Sequence, residues 1–354
     1  EGRVAAVVAA VRLGGFDPEA IHLDRGSVDR YPGLPETQVV VSAVGLAPPE
    51  HPPNFAPASA LAVAAGIANE LCRTASWYQD RCTWLGMVQD GDEDDDTIEL
   101  RCETVGPDLY GGGAGIALFL AEAARMGADH QAARAAMGAL TQAIATRDRV
   151  PALVRASVYE GSTGLALVAA RIGQLLDHPE LLETAGNLAD EAITAAAGAD
   201  PLDVISGLAG AIPPLLELAA TLERPDLAET AAEWGRRIVA AGSARRLWQP
   251  EAWPGPDPTG SDPVLTGFAH GASGIGWALH ALANATGDGA FRTAADTAFQ
   301  YENRWFQRGL GNWADLREWG GEGPPPCQLA WCHGAPGIGL GRLRAAQLTG
   351  DLQY

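Results

Sequence analysis

Residues 110–124 read YGGGAGIALFLAEAA, and this pattern recurs four times further along the chain. The later copies are YEGSTGLALVAARIG at 159–173, ISGLAGAIPPLLELA at 205–219, AHGASGIGWALHALA at 269–283 and CHGAPGIGLGRLRAA at 332–346. Each is G-x-x-G running into an apolar stretch. The first glycines are Gly112, Gly161, Gly207, Gly271 and Gly334, separated by 49, 46, 64 and 63 residues. A recurrence at such spacings marks stacked supersecondary units, and one helical hairpin per repeat fits it.

The stretches after the glycines are apolar on nearly every side, as in GIALFL at 115–120. A helix of that kind is buried. The intervening segments, such as LLETAGNLADEA at 181–192, are amphipathic and charged and belong in an outer layer. Inner helices ringed by outer helices make an all-α fold, an α/α toroid, a closed ring whose Gly-rich turns converge on one end of the axis. Glycine suits such turns because it allows positive φ and close backbone approach. Helix starts also point orphan N–H groups inward, which favours anions at the hub.

The residue before the first glycine is polar in the later copies: Glu160, Ser206, His270 and His333. Three turns carry residues suited to chemistry, and a toroid gathers them at its hub. His270 is the acid/base candidate, because an imidazole titrates near neutrality; a hydrogen-bonded structural histidine is the alternative. Asp203 fits either a helix N-cap or the group that orients and charge-stabilises a histidine. Cys332 is a soft, deprotonatable ligand suited to zinc. Cys327, in a proline-rich loop, is a further ligand candidate, while Cys72, Cys82 and Cys102 read as core or surface thiols.

Of 354 residues, 47% are hydrophobic and 19% charged, a globular composition. A formal net charge of -20 repels nucleic acid and anionic membranes, which excludes both as partners. Five cysteines, an odd number in a long chain, fit a reducing, cytoplasmic setting rather than a disulfide framework. No run reaches the ~20 apolar residues of a membrane span. The chain opens EGRVAAVV without Met and stops at DLQY, so both ends read as cuts through a longer protein. Residues 44–58 form a Pro-rich linker. The acidic run at 90–96 reads as a solvated turn, with calcium binding as the alternative. The tracts 248–263 and 309–326 are long loops before the fourth and fifth turns, where lids and substrate contacts are expected. The predicted division is 1–57, the tail of a preceding domain plus linker, and 58–354, the toroid.

Taken together, YGGGAGIALFL, DVISGLAG, GFAHGASGIGWAL and AWCHGAPGIGLGRL resemble the turns of lanthionine synthetase C-like proteins. TWLGMV at 83–88 and GPDLYGGGAGIALFLA at 106–121 resemble the class II synthetases, in which a dehydratase domain precedes the cyclase domain on one polypeptide. On that reading residues 1–57 end a dehydratase-like domain. The resemblance covers residues 58–354. It implies seven inner and seven outer helices, so the toroid here is incomplete and C-terminally truncated. It also implies a central Zn2+ held by two Cys and one His. The family's aspartate in D-x-x-x-G-x-x-G falls on Asp203, its catalytic histidine in H-G-x-x-G on His270, and its first zinc cysteine in W-C-x-G-x-P-G on Cys332. The other two ligands belong to a later C-H-G turn, and no further Cys follows Cys332. His333 sits where the family tolerates several residues.

The implied activity is lanthionine cyclisation. Cysteine thiols of a leader–core precursor peptide add to dehydroalanine or dehydrobutyrine, forming (methyl)lanthionine rings. Two rival readings stay open. One is an α/α-toroid glycoside hydrolase using a carboxyl pair such as Glu160 and Asp203. The other is a non-catalytic peptide-binding toroid without a complete zinc site.

Overall fold

A computed structural model describes residues 22–23, 41–42, 57–90, 99–127, 130–196, 202–244, 265–317, 319, 323–351 and 353–354. Most of the predicted preceding-domain tail at 1–57, the acidic loop after Asp90 and the loop at 248–263 lie outside them. The chain divides into two compact units, residues 1–66 with 85–104, and residues 67–84 with 105–354. The first contains the antiparallel pair β1 (His22–Leu23) and β2 (Val41–Ser42). The division between units falls within helix α1 (Pro57–Thr74). A short hairpin, β3 (Ser76–Tyr78) with β4 (Arg81–Thr83), follows in the second unit. Strands β5 (Leu85–Asp90) and β6 (Glu99–Thr104) form a longer hairpin in the first.

Among the described residues, the rest of the second unit is mainly helical, with connecting turns and one small hairpin, and its layers follow the repeat. Inner helices α2 (Gly113–Arg125), α4 (Ser162–Leu175), α6 (Leu208–Thr221), α8 (Ala272–Thr286) and α10 (Ala335–Thr349) each start just after the first glycine of a motif. Outer helices α3 (His130–Ala145), α5 (Glu180–Ala195), α7 (Pro225–Ala244) and α9 (Gly289–Asn303) alternate with them. The inner helices pack in chain order, α2 on α4, α4 on α6, α6 on α8 and α8 on α10. Each outer helix packs back on the inner helix before it. This is the all-α, two-layer arrangement expected from the sequence.

Side-chain periodicity explains the layering. Helix α4 buries Leu165, Ala166, Val168, Ala169, Ala170 and Ile172, which cover most of its circumference. Helix α5 buries Leu181, Ala185, Leu188, Ala189 and Ala192, spaced three and four apart on one face. Leu165, Leu208, Leu215 and Ile212 are wholly buried. Each such side chain stabilises the fold by roughly 1.5–3 kcal/mol relative to exposure.

Of the two purposes expected of the glycines, close backbone approach is the one most of them serve. Gly112, Gly161, Gly207 and Gly271 have φ of -113, -113, -120 and -117°, an ordinary β-region backbone open to any residue. Only Gly334 among the five is at positive φ, 105°. Space is the constraint. A Cβ on Gly164 would lie 1.8 Å from the Val158 carbonyl oxygen, and one on Gly337 would lie 1.7 Å from that of Trp331. The second glycine of each motif lets the carbonyl of its own turn rest on the helix. Gly164→Ala is therefore expected to destabilise the protein by about 2–3 kcal/mol in urea unfolding, the cost of overpacking. Gly339→Ala, where a Cβ meets nothing within 4 Å, is expected to be neutral or to stabilise by about 0.5–1 kcal/mol.

Candidate active site

Backbone hydrogen bonds join neighbouring turns in one register. The Tyr159 carbonyl accepts from Leu109 and Tyr110 N–H, both at 3.0 Å. The Ala269 carbonyl accepts from Val204 at 2.9 Å and Ile205 at 3.3 Å. The Cys332 carbonyl accepts from Phe268 and Ala269, both at 3.1 Å. In each case the carbonyl two residues before one motif glycine takes the N–H groups two and three residues before the glycine of the preceding turn. Trp331 of the fifth turn reaches the first two turns, its ring 5.8 Å from both Tyr110 and Tyr159. Equivalent positions of distant segments thereby meet at one end of the helices.

The polar residues preceding the glycines are among those that meet. His270 Nδ1 lies 2.7 Å from Asp203 Oδ2. With a carboxylate as partner, Nδ1 carries the hydrogen and Nε2 is left to exchange protons. The other oxygen, Asp203 Oδ1, accepts the Ser206 backbone N–H at 2.8 Å. Ser206 Oγ in turn donates to Glu160 Oε2 at 2.9 Å. Asp203 is not a helix cap, since α6 is capped by Gly207. One oxygen braces the turn while the other holds the histidine.

The two histidines at the hub are pushed in opposite directions. His270 is 39% exposed, and its hydrogen bond to Asp203 raises its pKa above the usual imidazole range, against an opposing contribution from burial. His333 stacks on it, with ring centroids 5.9 Å apart and planes at 22°. His333 is buried, and burial followed by the Arg317 charge lowers its pKa, although Asp315 opposes this. The environment thus favours an imidazolium at His270 beside a neutral imidazole at His333, the separation that lets neighbouring groups take acid and base parts. Arg317 is held by Asp315, with Nη2–Oδ2 at 2.7 Å and Nε–Oδ1 at 3.0 Å.

Cys332 is half-buried and one residue from His333. Its carbonyl ties it to the His270 turn, so Asp203, His270 and Cys332 come from three turns joined by backbone hydrogen bonds. Cys327 is held elsewhere, in an antiparallel bridge with Ala314, where burial raises its thiol pKa. None of the five cysteines is in a disulfide.

A family model described as lanthionine synthetase C-like protein matches residues 103–354. The chain belongs to that family. Among solved structures, nisin cyclase matches with a TM-score of 0.52 and 17% identity, covering 82% of this chain and 71% of its own. That likeness shows the fold alone. A family 76 glycoside hydrolase from a bovine Bacteroides thetaiotaomicron strain matches at a TM-score of 0.41 and 12% identity, covering 82% and 65% of the respective chains. It is too distant to carry an argument. No curated protein matches the chain. Among the described residues, no helix is long and apolar enough to cross a membrane.

Zinc binding in this lanthionine synthetase C-like protein can be tested against its donors. Cys332 offers a sulfur donor, and the buried His333 Nδ1 has no hydrogen-bond partner among the described residues. His270 Nδ1 is taken by Asp203. Among the described residues no three His, Cys, Asp or Glu side chains group to hold a metal ion. The donors present do not make up a zinc site with three protein ligands.

The sequence reading missed the scaffold behind the turns. Asn312 lies in the small hairpin of β7 (Phe306–Gln307) and β8 (Asn312–Trp313). Its Oδ1 accepts the first backbone N–H of α10, that of Ala335, at 2.8 Å, and its Nδ2 donates to the Gln328 carbonyl at 2.9 Å. Through Asn312, part of the 309–326 loop holds the Cys332–His333 turn in place. Glu302, at the end of outer helix α9, is wholly buried. Its Oε1 accepts the Gly267 N–H at 2.9 Å and its Oε2 accepts Arg342 Nη2 at 3.0 Å. Gly267, at φ 103°, leads directly into Phe268-Ala269-His270. Nothing in the sequence separates this glutamate from a solvated one, because only the packing of α9 on α8 buries it.

Proposed function

We propose that this protein is a lanthipeptide cyclase that closes thioether rings in a dehydrated precursor peptide. The carrying observation is the 2.7 Å contact between Asp203 and His270, on a turn bonded to that of Cys332, in a chain of the lanthionine synthetase C-like family. In this reading a substrate cysteine thiolate adds to the β-carbon of dehydroalanine or dehydrobutyrine. The sulfur–carbon bond forms as the π electrons move toward the α-carbon and its carbonyl, giving an enolate. His270 Nε2 then delivers a proton to the α-carbon, and the thiol proton returns to the histidine through solvent. Asp203 keeps the ring in the tautomer and orientation that allow this. The reaction is an isomerisation, so no further reactant is needed.

The zinc dependence implied by the resemblance rests in these residues on Cys332 alone, and no step here passes through a metal. The substrate requires a dehydrating activity beforehand, which the class II resemblance assigns to a domain preceding this one. A reducing compartment such as the cytoplasm suits both the five cysteines and a thiol substrate.

A peptide carrying one cysteine and one dehydrobutyrine tests the proposal. Incubation with the protein is expected to remove the thiol from reaction with an alkylating agent, seen as loss of the alkyl mass increment. Complete alkylation after prolonged incubation would sink it.

A further inference from the structure

A 450 Å³ pocket is lined in part by Glu160, which is joined through Ser206 to the hydrogen-bond network of the Asp203–His270 pair. Its presence follows from the repeat register. The position before the first motif glycine carries Glu160, Ser206, His270 and His333 in the second to fifth turns, whereas the first turn has Gly111 there. A Cβ at Gly111 would have only Asp108 Oδ1 near it, at 3.9 Å. The side chain missing from the ring leaves the space.

The lining combines apolar with polar groups. Val150, Pro151, Val154 and Tyr110 supply apolar lining, and Arg149 and Glu160 supply polar lining. Asp108 also lines it, with one oxygen accepting the Gly111 N–H at 2.7 Å. Neither Arg149 nor Glu160 is in an ion pair among the described residues. Tyr110, one of the lining residues, is 58% exposed. A guanidinium donor and a carboxylate acceptor in one pocket with apolar lining match one residue of an extended peptide. The side chain meets the apolar lining while backbone C=O and N–H meet Arg149 and Glu160. Either charge would meet both attractive and repulsive groups in this lining, whereas Val150, Pro151 and Val154 offer apolar contact alone, so an uncharged apolar residue is the side chain assigned.

We propose that this pocket is the substrate subsite for an apolar residue of the peptide next to the reacting cysteine. The inference rests on the cyclase reading. Binding by the subsite does not require chemistry, so the two can fail separately.

The test uses fluorescently labelled synthetic peptides with one dehydrobutyrine and one cysteine, and Leu, Lys or Asp beside the cysteine. The wild-type protein is compared with Gly111→Leu, which fills the pocket at a position of unstrained φ, and with Gly111→Ala as a control for the backbone. Wild type is expected to bind the Leu peptide about tenfold more tightly than the others by fluorescence anisotropy, a difference of about 1.4 kcal/mol. Gly111→Leu is expected to abolish that preference, and to raise KM for the Leu peptide about tenfold with kcat within about twofold. Gly111→Ala, which adds only a methyl group, is expected to weaken the preference less than Gly111→Leu, and an equal loss in both would assign the effect to the backbone and overturn the subsite. An unchanged Leu preference in Gly111→Leu overturns the subsite, and a wild-type preference for Lys or Asp overturns the proposed side-chain class. Selective binding of the Leu peptide without thioether formation in any peptide would uphold the subsite and overturn the cyclase reading.

Discussion

His270→Ala is expected to lower the rate of thioether formation by about 10²–10⁴-fold, the usual contribution of a positioned proton donor. The effect should fall on kcat, since the imidazole acts after the thiolate has attacked. The side chain is 39% exposed, so folding should survive and the urea midpoint should move little. Asp203→Asn separates orientation from charge. Asp203 raises the His270 pKa, its hydrogen bond being the largest cause, and so extends the protonated, donating form to higher pH. Removing the carboxylate lowers that pKa, and the alkaline limb of the rate profile is expected to move toward lower pH. An unaltered rate in His270→Ala would leave the proposed proton donor without support, whatever the behaviour of Asp203→Asn.

The second large effect concerns stability. Glu302→Ala is expected to cost about 3–5 kcal/mol in urea unfolding, because it leaves a buried guanidinium without its partner. Arg342 Nη2 bonds Glu302 Oε2 and the Phe299 carbonyl, both at 3.0 Å, and the guanidinium carbon lies 3.9 Å from the Phe299 ring centroid. The substitution also strips the Gly267 N–H of its acceptor, three residues before His270. The double variant Glu302→Leu with Arg342→Met removes both charges and is expected to recover most of the lost stability, as replacing a buried pair by apolar residues often does. Its catalysis should still suffer, because the Gly267 N–H remains without its acceptor. A single Glu302→Ala variant as stable as wild type would show that the pair does not anchor the turn.

These two predictions draw on different kinds of information. His270, Asp203 and Cys332 were legible in the sequence because the G-x-x-G repeat gives each residue a register, and register in a repeat fixes which positions meet. Apolar periodicity likewise separated α4, apolar nearly all round, from α5, apolar on one face. Burial of one helix stripe or of all of them is a local property of side-chain spacing.

Glu302, Arg342 and Asn312 carry no such mark. A glutamate at a helix end is ordinarily solvated, and this one is buried only because α9 packs against α8 with Arg342 of α10 beneath. The glycines divide the same way. Their positions came from the sequence, but the reason for most of them is the approach of a carbonyl oxygen, such as Val158 O beside Gly164, and not backbone freedom. The sequence by itself determined the two-layer helical fold and the residues that share the hub, because both depend on period. The tertiary structure alone decided which buried charges hold the turns, in which direction each hub histidine's pKa is pushed and which side chains line the pocket, because each depends on distances between segments remote in the chain.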